Sequence, residues 1–184
     1  KGNIVGTIPT GTGLMIMANE NVEIFANDLR DHGTVNLLIN SYLLSGLAIN
    51  DPKYNPYPER IHIHDNTFGP CGDKPGDDGG KFVAGVLGTP LPDILWDGLI
   101  DLKKYDGREK NPGLLICIHD NDKLDGGEVT FANLGGAATL ANPSKAQVTR
   151  DLAPYAGEMP PVKPVVLKGP VHTKPKRAVD RNHP

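Results

Sequence analysis

The sequence is short of most residues that build a conventional core. Aromatics make up 5% of its 184 residues and hydrophobic residues 38%. No apolar run reaches the roughly 18 residues that a membrane span needs. The net charge of −3 gives neither nucleic acid nor an anionic membrane an electrostatic hold. Cysteine is limited to Cys71 and Cys117, which allow one disulfide and do not demand it. Without C-x-x-C or C-x-x-C-H, neither a zinc ribbon nor a covalent haem is supported. The chain is rich instead in Gly (22) and Pro (17), together about a fifth of it, which favours turns over long helices. Its length suffices for one domain with a core. It opens on Lys1 without a signal peptide, and is read as processed, truncated or part of something longer.

The short apolar stretches repeat. LMIMAN starts at Leu14, VEIFAN at Val22, VNLLIN at Val35, IHIHDN at Ile61 and ICIHDN at Ile116. Each has aliphatic residues at its first and third positions and Asn at its sixth, giving Asn19, Asn27, Asn40, Asn66 and Asn121. A looser copy, VTFAN, runs from Val129 to Asn133. Alternation with period two predicts short strands with one buried face. The fixed Asn predicts a repeated turn, since Asn tolerates the left-handed conformation and its amide bonds backbone or a stacked Asn. Leu14 and Val22 are eight residues apart, so they begin successive strands of one coil, and Val35 opens the next. About 20 to 25 residues per three-strand coil predicts a right-handed parallel β-helix, an all-β solenoid.

Longer spacings mark insertions. One covers residues 45–59 and is rich in Pro, Asn and Tyr; the other covers 69–113. Within the second, Pro92 and Asp93 read as the first turn of a short helix. Leu91, Ile94, Leu95 and Trp96 would form its apolar face. Coils and insertions span residues 1–135, and 136–184 form a Pro-rich C-terminal extension. There, Val165, Val166 and Leu167 offer one last edge contact, and the basic tail beyond Lys168 reads as extended or disordered.

GNIVGTIPTGTGLMIMANENVEIFANDLRDHGTVNLLINSY and DPKYNPYPERIHIHDNTFG, with VGTPLPDILWDG, ICIHDN and FANL, resemble a bacterial family of exported parallel β-helix domain proteins. The resemblance covers about residues 2 to 135 and includes the insertions. It implies a C-terminal half that follows further coils. It also implies export to the periplasm, the medium or the cell surface. Family members tend to pair the equivalent of Cys117 with a cysteine just before the Pro-rich end. Here that region reads YAGEMPP, which leaves Cys71 as the available partner.

Inward Ile61 and Ile63 would turn His62 and His64 outward. Stacking then predicts one outward column of Glu23, His62 and Cys117, and a second of Phe25, His64 and His119. Ala26, Asp65 and Asp120 fall at the adjoining turn. With coils about 4.8 Å apart, such a face is able to hold a metal or move protons. The competing reading is a solvated polar face. The 45–59 insertion brings Tyr54, Tyr57 and Arg60 toward it. Uronate chemistry needs a cation for the carboxylate, a base for the C5 proton and an acid for the leaving oxygen. Arg60, His62 or His64, and Tyr57 or Tyr54 are candidates for those roles. His119, Asp65 and Asp120 are candidate binding residues.

The acidic run 119–128 offers Asp120, Asp122, Asp125 and Glu128 as calcium ligands, although its spacing misses the EF-hand loop. Two functional classes follow. One is an exported β-helix that binds or modifies a polyuronate-like polysaccharide, if an enzyme then by lyase or epimerase chemistry. The other is a non-catalytic structural or interaction solenoid within a larger surface or periplasmic complex. In either, the end formed by Leu14, Ile16, Val22 and Ile24 is expected to be covered by N-terminal coils or another chain.

Overall fold

The computed structural model describes residues 8–105, 115–136 and 146–163, with 138, 141, 142 and 144. The chain runs through β1 (Thr12–Met17), β2 (Glu20–Phe25) and β3 (Asp28–Leu29), then β4 (Val35–Asn40), β5 (Glu59–His64) and β6 (Thr67–Phe68). There follow β7 (Ile94–Trp96), β8 (Ile116–His119), β9 (Asp122–Lys123) and β10 (Phe131–Asn133). These strands pair as three parallel sheets, β1-β4-β7-β10, β2-β5-β8 and β3-β6-β9. The chain therefore visits the sheets in one order three times, then re-enters the first. The fold is all-β, built of parallel strands, and among the described residues its α-helix is α1 (Asp78–Leu87).

Alternation sets the core. Val22, Ile61 and Ile116 stack in register, and so do Ile24, Ile63 and Ile118. All but the half-buried Val22 are buried. Each fully buried aliphatic side chain of this kind contributes about 1.5–3 kcal/mol. Leu37, Ile39, Ile94, Trp96 and Phe131 complete the interior from the first sheet. At the β1 end, Leu14 and Ile16 are half-buried against this core.

The corners between the second and third sheets share one device. Ala26, Asp65 and Asp120 adopt φ of 55°, 51° and 48°. The left-handed residue is thus the one before each Asn, where an Asn had been expected to take that role itself. This frees the Asn side chains to point inward and stack. Asn27 Nδ2 donates to Asn66 Oδ1 at 2.9 Å, and Asn66 Nδ2 donates to Asn121 Oδ1 at 2.9 Å. Asn66 also donates to the carbonyls of Ile24 and His64, and its oxygen accepts the Asn27 amide N–H.

Other repeat residues fall elsewhere. Leu14 pairs with Leu37, not with Val35, so VNLLIN is shifted by two residues and its Asn40 lies opposite Met17. Asn133 lies opposite Trp96 in β10. Neither position is at an Asn corner.

The helix expected after Pro92 is not there. Ile94–Trp96 is strand β7, hydrogen-bonded between β4 and β10. The helix lies upstream, where Asp77 caps it by accepting from the Gly80 N–H and Asp78 opens its first turn. Two glycines in that turn obscure it in the sequence. Its Val83 packs with Val35, Leu38, Leu91, Leu95, Ala132 and Leu134 on the outer side of the first sheet. This explains why β4 is buried along its whole length: both faces are covered. Trp96 instead points into the core, edge-on to Tyr155 at 5.9 Å. The stretch 69–113 is thus not one insertion, since it contains the first strand of the third circuit. Val165, Val166, Leu167 and the tail beyond Lys168 lie outside the described residues.

Removing the Asn66 side chain strands several buried backbone and side-chain partners at once. Each such group costs about 1–3 kcal/mol. Asn66→Ala is therefore expected to lose about 3 kcal/mol or more in denaturant unfolding. Asn19→Ala, at an exposed position of the same motif, should stay within about 0.5 kcal/mol.

Candidate functional site

The outer face of β2-β5-β8 carries the histidines. Register places Glu23 beside His62 and His62 beside Cys117, and it places Phe25 beside His64 and His64 beside His119. The two expected columns are therefore present. Phe25 and His64 stack at 5.4 Å between ring centroids, and so do His64 and His119. Asp65 and Asp120 sit at the left-handed corners immediately after their histidines. Each folds back on its neighbour: His64 Nδ1 is 2.7 Å from Asp65 Oδ2, and His119 Nδ1 is 2.8 Å from Asp120 Oδ2.

The three imidazoles differ because their surroundings differ. His64 lies between two carboxylates, with Nε2 3.0 Å from Glu23 Oε1. The bond to Asp65, supported by Glu23, raises its pKa above the ordinary histidine value. The His64 Nε2 bond in turn holds Glu23 below the ordinary carboxylate range. His62 is buried, and burial together with the neighbouring histidines lowers its pKa. His62 Nε2 is 2.7 Å from His119 Nε2. In the tautomer that donates His119 Nδ1–H to Asp120, His119 Nε2 accepts and His62 Nε2–H donates. That tautomer leaves a lone pair on His62 Nδ1, a buried atom with no hydrogen-bond partner, 4.0 Å from Glu23 Oε1.

The C-terminal extension covers this face. Tyr155 is buried against Trp96 and Phe131, and Met159 is buried further along. The Val162 N–H then reaches Glu23 Oε2 at 3.3 Å. Between this strap and the sheet lies a cavity of ≈ 380 Å³ lined by Asn21, Arg60, His62 and residues 159–163. Arg60 is fixed there by its Nε–H bond to Asn21 Oδ1 at 2.6 Å. Extension and coils therefore share one site, although the sequence pattern separates them.

The other expected residues are dispersed. Tyr54 meets Tyr42 edge-on at 5.3 Å. Tyr57 lies near Asp101, and burial raises its pKa. Neither tyrosine lines the Arg60–His62 cavity. Of the residues read as calcium ligands, Asp120 holds His119 and Asp122 pairs with Thr67 in β9. Asp125 accepts from the Gly127 N–H, and Glu128 is exposed. These four do not assemble. The metal-type donor group among the described residues is Glu23, His62 and His64, whose ligand atoms lie within 4.8 Å of one another. Glu23 was legible as a column neighbour of His62, but its role needed the bonds made by both of its oxygens.

The two cysteines are free, which corrects the pairing left open by the sequence. Cys117 is buried on β8 in the second sheet. Cys71 lies opposite His32, with Sγ 3.6 Å from the Pro92 carbonyl and 3.6 Å from Asp93 Oδ1. No family model, no curated protein and no solved structure matches the chain.

Burial pushes the Cys71 thiol up to about 11 and raises Cys117 as well. A thiol reagent should therefore count two groups in denaturant and react slowly with the native protein at neutral pH. A count of zero in denaturant would reveal a disulfide. A pH series tests the histidine assignment in chelator-treated protein. A raised folded pKa gives stabilisation that is full below the unfolded value and fades as pH rises through the folded one. The stability difference between wild type and His64→Gln should thus shrink with rising pH over that window. A constant difference would contradict the two-carboxylate setting of His64.

Proposed function

We propose that the chain is part of a right-handed parallel β-helix of the exported bacterial kind that it resembles, and that its outer second sheet binds or modifies an acidic, polyuronate-like polysaccharide. Support for the solenoid is the threefold repetition of sheet order together with the Asn27–Asn66–Asn121 stack. Right-handed crossovers are the strong rule for parallel connections. Export rests on the family resemblance.

One observation carries the saccharide reading: Arg60 and His62 line a single cavity under the 159–163 strap. A guanidinium pairs bidentately with a carboxylate and neutralises it. Lys163, in the same lining, adds a second cation. A neutral histidine alongside is suited to take the C5 proton that the neutralised carboxylate makes more acidic. Tyr57 and Tyr54 do not line this cavity, and His64 does not either, its two ring nitrogens facing Asp65 and Glu23; the arrangement supplies the cation and the base.

A second reading, an interaction solenoid within a larger complex, is favoured by one other feature. β1, β2 and β3 are the edge strands of all three sheets, and Leu14, Ile16 and Val22 are only half-buried among them. Further coils or another chain would cover that end.

Calorimetry with defined oligosaccharides separates the two. Oligouronates should bind and neutral oligosaccharides of equal length should not. Arg60→Ala should weaken binding by about tenfold or more, the scale of a charged hydrogen bond. Unsaturated product in an ultraviolet assay would add lyase activity to binding. Absence of binding to every acidic oligosaccharide, or full affinity in Arg60→Ala, would sink the saccharide reading.

A further inference from the structure

We propose that Glu23, His62 and His64 form a mononuclear site for a divalent transition ion of the zinc class, with His119 and Asp65 as the outer partners of its two imidazoles. The site does not rest on the saccharide reading.

The argument begins with the imidazole atoms that are already committed. His62 uses Nε2 toward His119, which Asp120 orients. His64 uses Nδ1 toward Asp65. A metal-bound histidine almost always donates its other ring N–H to such an acceptor, which fixes the tautomer and ring direction. His64 has the Asp65 carboxylate in that place, and His62 has His119 Nε2, itself oriented by Asp120. The atoms left over are His62 Nδ1 and His64 Nε2, and both are near Glu23 Oε1, at 4.0 and 3.0 Å. Around an ion with bonds of 2.0–2.2 Å, tetrahedral donors stand about 3.4 Å apart. These two distances straddle that value, and the two ring nitrogens lie within 4.8 Å of each other. Small rotations about the broad histidine χ2 well bring the set onto one centre.

The buried, unpartnered His62 Nδ1 is the second observation. Burying a polar atom without a partner is costly. The strap makes the cost harder to avoid, because it closes over this face and spends the Val162 N–H on Glu23 Oε2. A metal ion would complete the coordination of that nitrogen. Ring stacking of Phe25, His64 and His119 holds His64 in plane.

The donor set selects the ion. Two imidazoles and one carboxylate suit zinc and its first-row neighbours, whereas calcium and magnesium prefer shells of oxygen. Arg60 and Lys163 line the neighbouring cavity and oppose a dication. Glu23, Asp65 and Asp120 offset them with three carboxylates. Three protein ligands leave a fourth position open, the arrangement of zinc sites that take water or substrate.

The test uses the full chain after removal of metal by chelator. Zinc titrated alone by calorimetry should bind one ion per chain. Cobalt(II) in its place should give the intense visible bands of a low-coordinate site. Glu23→Gln and His64→Ala should abolish these bands. Asp65→Asn should weaken zinc by about 10- to 100-fold, as loss of an outer partner does. His32→Ala, His172→Ala and His183→Ala should leave stoichiometry and affinity unchanged. Imidazole nitrogen NMR of the wild type needs no variant: zinc should shift Nδ1 of His62 and Nε2 of His64. The proposal is overturned by absence of stoichiometric binding, by cobalt bands that survive Glu23→Gln and His64→Ala, or by coordination through the opposite nitrogens.

Discussion

The stack of Asn27, Asn66 and Asn121 is the interaction on which the rest of the arrangement depends. Each amide donates to the next Asn's oxygen, to backbone carbonyls, or to both, so adjacent strands of the second sheet are held in register at one corner. A slip of one residue would exchange the two faces of every strand in the second sheet. Isoleucines would then meet solvent and histidines the core. The corner therefore decides more than a turn: it decides that Glu23, His62, His64 and His119 share the outer face. The left-handed residue before each Asn makes the corner tight. At two of the three corners that residue is Asp, and its carboxylate is carried back onto the preceding imidazole.

Three histidines of one chemical type acquire three characters through these placements. His64 is held between Asp65 and Glu23 and favours its charged form. His62 is buried among other imidazoles and favours its neutral form. His119 links the two systems, with one nitrogen on Asp120 and the other on His62. Neighbouring groups with opposed proton preferences are the condition for acid–base division of labour. A metal site needs both imidazoles neutral, so an ion bound there would take the place of the His64 proton, with Asp65 as the outer support. The proposed saccharide and metal readings each use the one uncommitted ring nitrogen of His62, so an ion bound there would displace the base role.

Burial of this face comes from two directions in the chain. The sheet supplies the floor, and residues 153–163 return from beyond β10 to supply the roof. The anchor of that return is Tyr155, wedged against Trp96 and Phe131. Helix α1 does the corresponding service on the outside of the first sheet, where Val83 covers Leu38 and Leu95. A chain with few aromatics thus uses them where separate segments must be joined, because one ring covers the area of several aliphatic side chains.

Period-two alternation and the sixth-position Asn determined the strands β1, β2, β4, β5 and β8, the inward isoleucines and the outward columns, because a strand's side-chain period is set by its own backbone. The sequence alone also placed His64 over His119 and Glu23 beside His62, since equal motifs stack in equal register. It did not show that VNLLIN slides by two residues, that Ile94–Trp96 is a strand, or that α1 begins at Asp78. Those outcomes depend on which apolar surface a segment meets, and short apolar runs read alike as helix or strand until a partner is present. The free state of Cys71 and Cys117 likewise follows from tertiary placement, Cys117 on β8 and Cys71 in a lone bridge to His32. The cavity beside His62 was a tertiary decision altogether. Nothing local to YAGEMPPVK marks it as a roof; only the docking of Tyr155 and Met159 on the sheet directs Val162 to Glu23.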